Sequence, residues 1–360
     1  MSKESKILFI VPYPVKRAPS QRFRVELFEP YLKEAGIPYT ISSFIDESTF
    51  NILYKQGGTF RKAGGIIKGF LRRIKNAFWD VHQYTHVFIH REAAPVGPPI
   101  FEWIIAKQWG KKTIYDFDDA IWIPNTSREN KVAALLKANW KVKYICKWAT
   151  TVVAGNDYLC SFAKKYNPNV ACIPTCVDVE KGHNRLKEHK HDSIVIGWTG
   201  SHSTLGFLET LLPTLWDLHK EFSFTLLVIA DKKPNYNFPS MMFIPWKEET
   251  EIDDLLNMDI GIMPLASDAW SEGKCGFKLI QYMSLGIPAV ASPIGVNSKI
   301  IDDGINGYIA HDEHEWKKYL LTLMKDTALR ATMGLAGRAK IVNEYSTQSQ
   351  KETFLSLFKN

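Results

Sequence analysis

The feature that most constrains the fold of this chain is a regular alternation of short apolar segments with amphipathic ones. Apolar runs such as KILFIVPY and TTVVAG have the length of buried strands, whereas SQRFRVELFEPYLKEAG repeats its apolar residues at the period of a helix that ends at Gly36. Apolar strands that alternate with helices predict a parallel sheet covered on both faces. The sequence therefore predicts an α/β protein.

The alternation is interrupted once, between residues 178 and 193, by the polar sequence DVEKGHNRLKEHKHDS, which we interpret as a linker or surface loop. It restarts with IVIGWTG and continues to IPAVAS, after which the chain is mainly helical. A chain of 360 residues suits two domains, because single cores stop growing beyond about 250–300 residues. We predict domains over residues 1–183 and 184–345, with a C-terminal helix over 346–360 that packs back toward the first domain.

Composition excludes several classes of protein. No apolar run reaches the roughly 18 residues of a membrane-spanning helix, and MSKESKILFIVPYP lacks the features of a signal peptide. Five cysteines without CxxC spacing predict neither a disulfide framework nor a zinc site, and Cys172 and Cys176 are interpreted as small core residues. A net charge of +7 favours anionic partners: a nucleotide, a phospholipid surface or nucleic acid. The expected location is the cytoplasm.

Ligands of doubly wound domains bind beyond the carboxyl ends of the strands, and one such region of the second half is rich in glycine and lysine. The loop Gly273–Gly276 leads into a predicted helix over Phe277–Leu285. Glycine lets the backbone approach a ligand closely, and a helix N-terminus attracts phosphate, to which Lys274 and Lys278 add charge. Gln281 shares a helix face with Lys278 and can reach ribose hydroxyls. The alternative is a glycine turn before a core helix with solvent-exposed lysines.

Several segments of the chain resemble one enzyme family. GKCGFKLIQYMSLGIPAVASPIGVN resembles the donor-binding region of family 4 glycosyltransferases, which are retaining enzymes of the GT-B fold. WTGSHST is similar to the glycine loop of that family, and VVAGNDYLCSFAKKYNPNVACIPTCVD is similar to the end of its N-terminal domain. SQRFRVELFEPYLKEAG and IYDFDDAIW are similar to a bacterial branch that serves cell-envelope polysaccharide synthesis. The resemblance covers nearly the whole chain.

The resemblance implies two Rossmann-like domains whose parallel sheets face a central cleft. It also implies a nucleotide-diphosphate sugar as donor substrate, no separate cofactor and no metal. Lys274 and Lys278 take a catalytic role, since they stabilise the leaving diphosphate. The residues assigned to donor binding are Gly200, Ser201, His202, Ser203, Trp246, Glu272, Gly276, Phe277 and Gln281. For Trp246, stacking on the base and packing in the core both remain open.

The sequence departs from the family pattern at two places. Much of the family has two glutamates eight positions apart, the first near the sugar and the second on the ribose. Here Gly273, with Glu272 beside it, and Gln281 stand at those places, and an amide still bonds to hydroxyls. An Arg/Lys pair common in the family is replaced by Ser201–Thr204. The negative charge of the donor phosphates is therefore expected to be balanced by Lys274, Lys278 and backbone N–H groups.

The aspartates of the sequence DFDDAIW are interpreted from their spacing and from the family resemblance. Asp116 and Asp118 are two residues apart, so on a strand they share a side. A DxD motif binds a metal in the other large glycosyltransferase fold. The strand–helix alternation of this chain argues against that fold. The resemblance places Asp118 and Asp119 where many relatives carry a histidine near the donor sugar, and we assign both as catalytic carboxylates that orient hydroxyls or stabilise positive charge. The alternative is that one of them caps a turn.

Three basic side chains at strand ends are assigned to acceptor binding: Arg22, Arg24 and His90. Guanidinium groups bind phosphate and carboxylate in a fork geometry. The alternatives are surface arginines at the start of a helix and a structural histidine.

Residues 60–79 form a basic amphipathic segment. One side of its helical projection carries Ala63, Ile66, Ile67, Phe70, Leu71, Ile74 and Phe78. The opposite side carries Arg61, Lys68, Arg72 and Lys75, with Lys62 and Arg73 flanking. Such a helix either lies at an anionic membrane surface, at the inner face of the plasma membrane, or covers a domain core while showing its lysines to water.

The predicted function is transfer of a hexose from a nucleotide-diphosphate sugar to a glycan or lipid-linked acceptor with retention of configuration. One alternative is a GT-B epimerase or phosphorylase. Another is a catalytically weak or inactive GT-B protein that binds a nucleotide or a partner transferase. A nicotinamide dehydrogenase is disfavoured because no GxGxxG follows KILFIVPY, and nucleic-acid binding is not predicted because the basic residues cluster with aliphatic ones.

Overall fold

The computed structural model describes residues 5–53, 57–124, 138–190 and 193–359, which form two compact α/β units. The N-terminal unit comprises Met1–Thr175 and Gln350–Asn360, and the C-terminal unit comprises Cys176–Ser349. The chain thus leaves the first unit between residues 175 and 176 and returns to it at the C-terminal helix. Residues 191–192 of the predicted linker lie outside the described residues.

The N-terminal unit is built on a parallel six-stranded sheet in the order β2-β1-β3-β4-β5-β6. Its strands are β1 Ile7–Val11, β2 Tyr39–Ser43, β3 His86–His90, β4 Lys112–Phe117, β5 Thr151–Ala154 and β6 Val170–Cys172. β1 and β3 are buried along their whole length, as expected for strands covered on both faces. One interpretation was wrong: Cys172, at the end of the edge strand, is exposed rather than a core residue.

The helices of the N-terminal unit vary widely in length. They are α1 Pro19–Arg24, α2 Glu29–Glu34, α3 Glu47–Leu53, α4 Thr59–Phe78, α5 Ile100–Trp103, α6 Lys141–Trp148 and α7 Asp157–Lys164. Short 3₁₀ turns cover Glu26–Phe28 and Asp80–Gln83, and a π-helical turn covers Ile104–Gln108. Among the described residues, no helix is long and apolar enough to cross a membrane.

The C-terminal unit repeats the architecture with a parallel sheet in the order β12-β11-β10-β7-β8-β9. Its strands are β7 Val195–Gly200, β8 Thr225–Ala230, β9 Met241–Pro245, β10 Ile260–Met263, β11 Ala289–Ala291 and β12 Gly307–Ile309. Its helices are α8 Leu205–Glu221, α9 Glu251–Leu255, α10 Ala269–Glu272, α11 Phe277–Ser284, α12 Asn297–Ile300, α13 Glu313–Lys325 and α14 Thr327–Glu344, and α15 Thr347–Ser356 leads back to the first unit.

Each sheet has a topological switch point, where connections from two neighbouring strands leave in opposite directions. It falls between β1 and β3 in the N-terminal unit and between β7 and β10 in the C-terminal unit. In open α/β sheets this arrangement leaves a crevice beyond the carboxyl ends of the two strands, where ligands bind. We therefore expect ligand-binding sites in the loops that follow these four strands.

The predicted helix up to Gly36 is broken into α1, a 3₁₀ turn and α2. Pro30 lies in the first turn of α2, where its missing N–H is tolerated; inside one continuous helix it would remove a backbone hydrogen bond. Gly36 follows α2 in the left-handed conformation expected of a helix terminator.

The long helix α4 is rotated relative to the orientation that its apolar residues suggest. Ile66 and Phe70 pack against the core, whereas four other residues of the predicted apolar face are exposed: Ile67, Leu71, Ile74 and Phe78. Gly65 and Gly69 are buried, and a β-carbon on either would lie within 3 Å of Thr49 or Phe44. Arg73, predicted to flank the polar side, is fully buried and donates to the carbonyl oxygens of Val11 and Ala93. Burial lowers the pKa of Arg73 to about 9. The helix therefore approaches the sheet through glycine and a buried cation.

The C-terminal helix contributes aromatic side chains to the N-terminal core. Phe354 stacks on Phe28 with ring centroids 4.2 Å apart, and Phe358 packs against Phe9 and Phe88. The hydroxyl of Ser5 donates to the carbonyl oxygen of Phe358. The end of the chain thus completes the core of the unit in which the chain begins.

We expect Phe354→Ala to lower the free energy of unfolding of the N-terminal unit by about 3–5 kcal/mol, because it removes a buried ring and leaves a cavity. Phe60→Ala is the matched control, since Phe60 is 95% exposed, and we expect a change of no more than about 0.5 kcal/mol. Urea unfolding followed by circular dichroism measures both. Equal effects of the two substitutions would contradict the packing of the C-terminal helix on this core.

Candidate functional site

A buried ion pair and a histidine lie at the carboxyl end of the N-terminal sheet. The guanidinium of Arg24 binds the carboxylate of Asp116, and Nδ1 of His90 lies 2.7 Å from Oδ2 of the same carboxylate. All three side chains are at most 2% exposed. Arg24 also donates to the carbonyl oxygen of Ile173, which follows β6. A buried charge needs such a partner, because the desolvation cost is otherwise uncompensated.

A second group of charges lies next to this network and is more exposed. The spacing of Asp116 and Asp118 predicted that they share one side of a strand. Strand β4 ends at Phe117, however, so Asp118 lies beyond the strand. Instead, Nη2 of Arg91 lies 2.9 Å from oxygens of both Asp118 and Asp119. Arg91 has a φ of 62°, and its backbone is held by a hydrogen bond from Tyr115 Oη to its carbonyl oxygen. The two carboxylates, 11% and 19% exposed, are thereby held side by side.

Ser20 connects the two groups. Its hydroxyl oxygen lies 3.0 Å from Nε2 of His90, and its side chain also hydrogen-bonds to Asp118. Burial acts to raise the pKa of Asp118, but the charges of Arg91, His90 and Arg24 and the hydrogen bond from Ser20 outweigh it and hold that pKa well below its usual range. Asp118 is therefore a carboxylate across the physiological pH range.

The residues assigned to acceptor binding differ in position. Arg24 and His90 are interior side chains whose contacts are with Asp116 and Ser20. Arg22 is 8% exposed, and its guanidinium lies 4.3 Å from the ring centroid of Phe23. Direct contact of these three with an acceptor stays a prediction. The observed geometry gives Arg24 and His90 a role in holding the carboxylates.

In the C-terminal unit, the loop after β7 contains the predicted glycine loop. A β-carbon on Gly200 would lie 2.5 Å from the Trp198 ring and 2.8 Å from the hydroxyl of Thr204, so only glycine fits. His202 is bound through both its backbone N–H and its ring to the carboxylate of Asp231, which follows β8. Ser201 and Ser203 hydrogen-bond to each other. The loop therefore presents small side chains and a histidine fixed by its neighbour.

The second half of this site is the start of α11, which follows the loop after β10. Gly276 caps the helix with a φ of 66°, and a β-carbon there would lie 2.2 Å from Ile300. The Nζ atom of Lys274 lies 4.7 Å from the ring centroid of Trp270, and that of Lys278 lies 5.3 Å from the ring centroid of Trp198. Because Trp198 belongs to β7, the lysines reach both sides of the switch point.

Two further predicted donor residues, Trp246 and Gln281, meet on one carboxylate. The indole Nε1 of Trp246 and the amide Nε2 of Gln281 lie 3.0 and 3.1 Å from Oε1 of Glu251. Glu272 is bound differently: its Oε2 accepts from the backbone N–H of Gly295, beyond β11. Phe277 is the first residue of α11 and is half-buried.

Sequence reasoning missed three residues of these sites, Ser20, Asp231 and Glu251, and pointed to Arg91 at a strand end without assigning it a role. Arg91 and Asp231 each directly follow a strand, which is a signal that the sequence does carry. Glu251 lies in the acidic run KEETEIDD, where nothing distinguishes it from its neighbours. Across the described residues, no cluster of three or more His, Cys, Asp or Glu side chains is arranged to hold a metal ion; metal independence stays a prediction.

Comparison with known proteins gives a family match over part of the chain. The family model described as Glycosyl transferases group 1 matches residues 233–340, which include Trp246, Glu251 and the Lys274–Gln281 segment. A comparison of the sequence with curated proteins gives no match.

Solved structures match over the whole length. A glycosyltransferase from Rickettsia africae ESF-5 has a TM-score of 0.70 at 15% identity, over 99% of this chain and 98% of that chain. HepE from Anabaena, solved with UDP-glucose, has a TM-score of 0.68 at 14% identity, over 98% of this chain and 99% of that chain. Sucrose-phosphate synthase from Thermosynechococcus elongatus has a TM-score of 0.68 at 12% identity, with 98% of both chains covered. These likenesses confirm the predicted GT-B fold with two Rossmann-like α/β units.

We expect Asp118→Asn to lower the free energy of unfolding by about 1–3 kcal/mol at pH 7 and by less at pH 3. The pKa of Asp118 is depressed in the folded protein, so its contribution is present above its unfolded value and is lost as the pH falls through the folded value. Urea unfolding at several pH values measures this difference. Glu209→Gln, which alters an exposed carboxylate, is the control. A penalty that does not change with pH would contradict the pairing with Arg91.

Proposed function

We propose that the protein is a glycosyltransferase that moves a sugar from a nucleotide-diphosphate sugar to a glycan or lipid-linked acceptor. The observation that carries the proposal is the coincidence of the group 1 glycosyltransferase match with a glycine-capped helix and two lysines at the switch point of the same unit. This combination is suited to a diphosphate, because helix N–H groups and ammonium charges converge beyond the strand ends. UDP-glucose bound to HepE supports a donor of this class.

In the proposed reaction, the bond between the anomeric carbon and the phosphate oxygen breaks, and its electron pair leaves with the diphosphate. The oxygen of an acceptor hydroxyl forms the new bond to the anomeric carbon, and the hydroxyl proton passes to the departing diphosphate. Lys274, Lys278 and the N-terminus of α11 stabilise the charge that builds up there. The loop Gly200–Ser203 lets its backbone approach the phosphates, as its small side chains and the close packing of Gly200 favour. Glu272, restrained by Gly295, is proposed to bind sugar hydroxyls.

The N-terminal unit is proposed to bind the acceptor at the end of its own sheet. Asp118 and Asp119 are held by Arg91 and accept hydrogen bonds from sugar hydroxyls, or stabilise positive charge on the reacting sugar. Arg22 is proposed to contact phosphate on the acceptor. The resemblance to family 4 further supports retention of configuration, metal independence and a role in cell-envelope polysaccharide synthesis, and these belong to the proposal.

We expect the double substitution Lys274→Ala and Lys278→Ala to lower kcat/KM for the donor by at least about a hundredfold, because it removes charge that stabilises the transition state. Release of nucleoside diphosphate from a panel of UDP- and GDP-sugars measures turnover, with glycan and lipid-linked acceptors present. Lys220→Ala, an exposed lysine of α8, is the control.

Unchanged turnover in the double variant would overturn this account of the donor site. Conversion of the donor without any acceptor would favour the epimerase or phosphorylase alternative. Donor binding without transfer or hydrolysis would favour the non-catalytic alternative. NMR of the product determines whether configuration is retained.

We also propose that α4 binds an anionic membrane surface at the inner face of the plasma membrane. The apolar side chains Ile67, Leu71, Ile74 and Phe78 are 38–60% exposed, because the helix packs on the sheet through its glycines instead. The sequence Thr59–Phe78 contains no acidic residue. Basic side chains beside exposed apolar ones are the combination that binds to anionic lipid headgroups.

Neighbouring elements extend this apolar surface. The ring of Phe70 in α4 contacts that of Phe101 in α5, and α5 also exposes Ile100 and Trp103. Trp79, directly after α4, is 64% exposed. Tryptophan is favoured at membrane interfaces because its ring is largely apolar while its indole N–H can hydrogen-bond in the hydrated headgroup region. A lipid-linked acceptor would be presented at such a surface.

We expect the protein to sediment with phosphatidylglycerol-containing vesicles, and Ile67→Asp with Leu71→Asp to weaken that binding by about tenfold or more. Each substitution removes an apolar side chain, worth about 1.5–3 kcal/mol on full burial, and adds negative charge. Leu335→Asp, at a residue 59% exposed in the C-terminal unit, is the control. Equal sedimentation of all variants, or no preference for anionic over phosphatidylcholine vesicles, would contradict the membrane proposal.

A further inference from the structure

Glu251 is the meeting point of three elements in the C-terminal unit. It begins α9, while Trp246 follows β9 and Gln281 lies in the second turn of α11. Both the indole N–H and the side-chain amide N–H donate to the same oxygen, Oε1. Glu251 is 7% exposed and Gln281 is 3% exposed. Two donors on one oxygen fix the plane of the carboxylate and define the direction of its second oxygen.

This group adjoins the proposed phosphate site. Gln281 lies three residues after Lys278 and on the same side of α11, so the helix leads from the phosphate-binding end to Glu251. On the other side, the backbone N–H of Trp246 donates to the carbonyl oxygen of Ala230, at the end of β8. A nucleotide whose diphosphate binds at the start of α11 would therefore extend its nucleoside toward this carboxylate.

The chemistry of the three side chains fits a ribonucleoside. A carboxylate only accepts hydrogen bonds, and the two hydroxyls of a ribose are donors that one carboxylate can bind together. An indole beside it offers an aromatic surface to a base. Gln281 by itself is engaged as a donor to Glu251, so its amide holds the carboxylate in position.

We propose that Glu251 reads the ribose hydroxyls of the donor, so that the site accepts ribonucleoside diphosphate sugars and discriminates against 2′-deoxyribonucleotide donors such as thymidine diphosphate sugars. The inference rests on the proposed donor site and names its specificity-determining residue. A site built to bond to a hydroxyl rejects an analogue that lacks it, because its buried polar group then loses a partner.

The pairing also accounts for glutamine at position 281. A glutamate there would place a second carboxylate in contact with Oε1 of Glu251, and two adjacent carboxylates repel. Glutamine at one position and glutamate at the other are therefore mutually dependent. Exchanging the two residue types would preserve the amide–carboxylate pair, whereas changing either one alone would not.

Titration calorimetry tests the inference with UDP, GDP and ADP, each beside its 2′-deoxy counterpart. For the wild type we expect the preferred ribonucleotide to bind at least about tenfold more tightly than its deoxy form. We expect Glu251→Gln to weaken the ribonucleotide by about ten- to a hundredfold and to abolish the discrimination. Gln281→Glu should weaken it comparably, and the double exchange should restore much of the affinity and the discrimination.

Glu249→Gln, which removes an exposed carboxylate two residues away, is the matched control and should bind like the wild type. Equal binding of ribo- and deoxyribonucleotides by the wild type would overturn the inference, as would discrimination that survives in Glu251→Gln. The wild-type comparison decides even if a variant fails to fold. Failure of the wild type to bind any of these nucleotides would overturn the proposed donor site itself, and the inference with it.

Discussion

The N-terminal unit depends on the carboxylate of Asp116, which is buried at the end of β4 and balanced by Arg24 and His90. Burying a charge is costly unless it is paired, so these residues constrain one another. Arg24 comes from α1, His90 from β3, and Arg24 also bonds to the chain after β6. One ionic network therefore joins α1, β3, β4 and the chain after β6 at the carboxyl end of the sheet.

The more exposed carboxylates of Asp118 and Asp119 lie next to this network, and the charges of His90 and Arg24 contribute to the low pKa of Asp118. Asp118 contacts Ser20, and Ser20 contacts His90, so the interior charge is connected to the surface group through one hydroxyl. The strained backbone of Arg91 serves the same end, because it directs one guanidinium to two carboxylates. The two carboxylates are thus oriented by Arg91 and Ser20, which are partly exposed, and by the buried charges of the network next to them.

How much of this could be predicted from the sequence depends on whether the signal is local. The alternation of strands and helices and the glycine-rich start of α11 are local patterns, and they gave the α/β architecture and the predicted donor segment. The partners of Asp116 are distant in sequence, as is Gln281, one of the two partners of Glu251, and no spacing indicates them. Helix α4 shows the same limit: periodicity identified its apolar face, but glycine contacts with Thr49 and Phe44 decided which face is buried.

The two units differ in how charge is supplied and balanced at the carboxyl ends of their strands. In the N-terminal unit, the charges at the sheet end are supplied by side chains and neutralised by other side chains, so each carboxylate has an arginine. In the C-terminal unit, the proposed donor site depends on backbone N–H groups as well as lysines, and glycine is required at Gly200 and Gly276, where a β-carbon would collide. We expect a site of this second kind to tolerate exchange of its polar side chains if their hydrogen bonds are kept. Gln281 beside Glu251 is consistent with that tolerance, since an amide there is compatible with a carboxylate supplied by the neighbouring element.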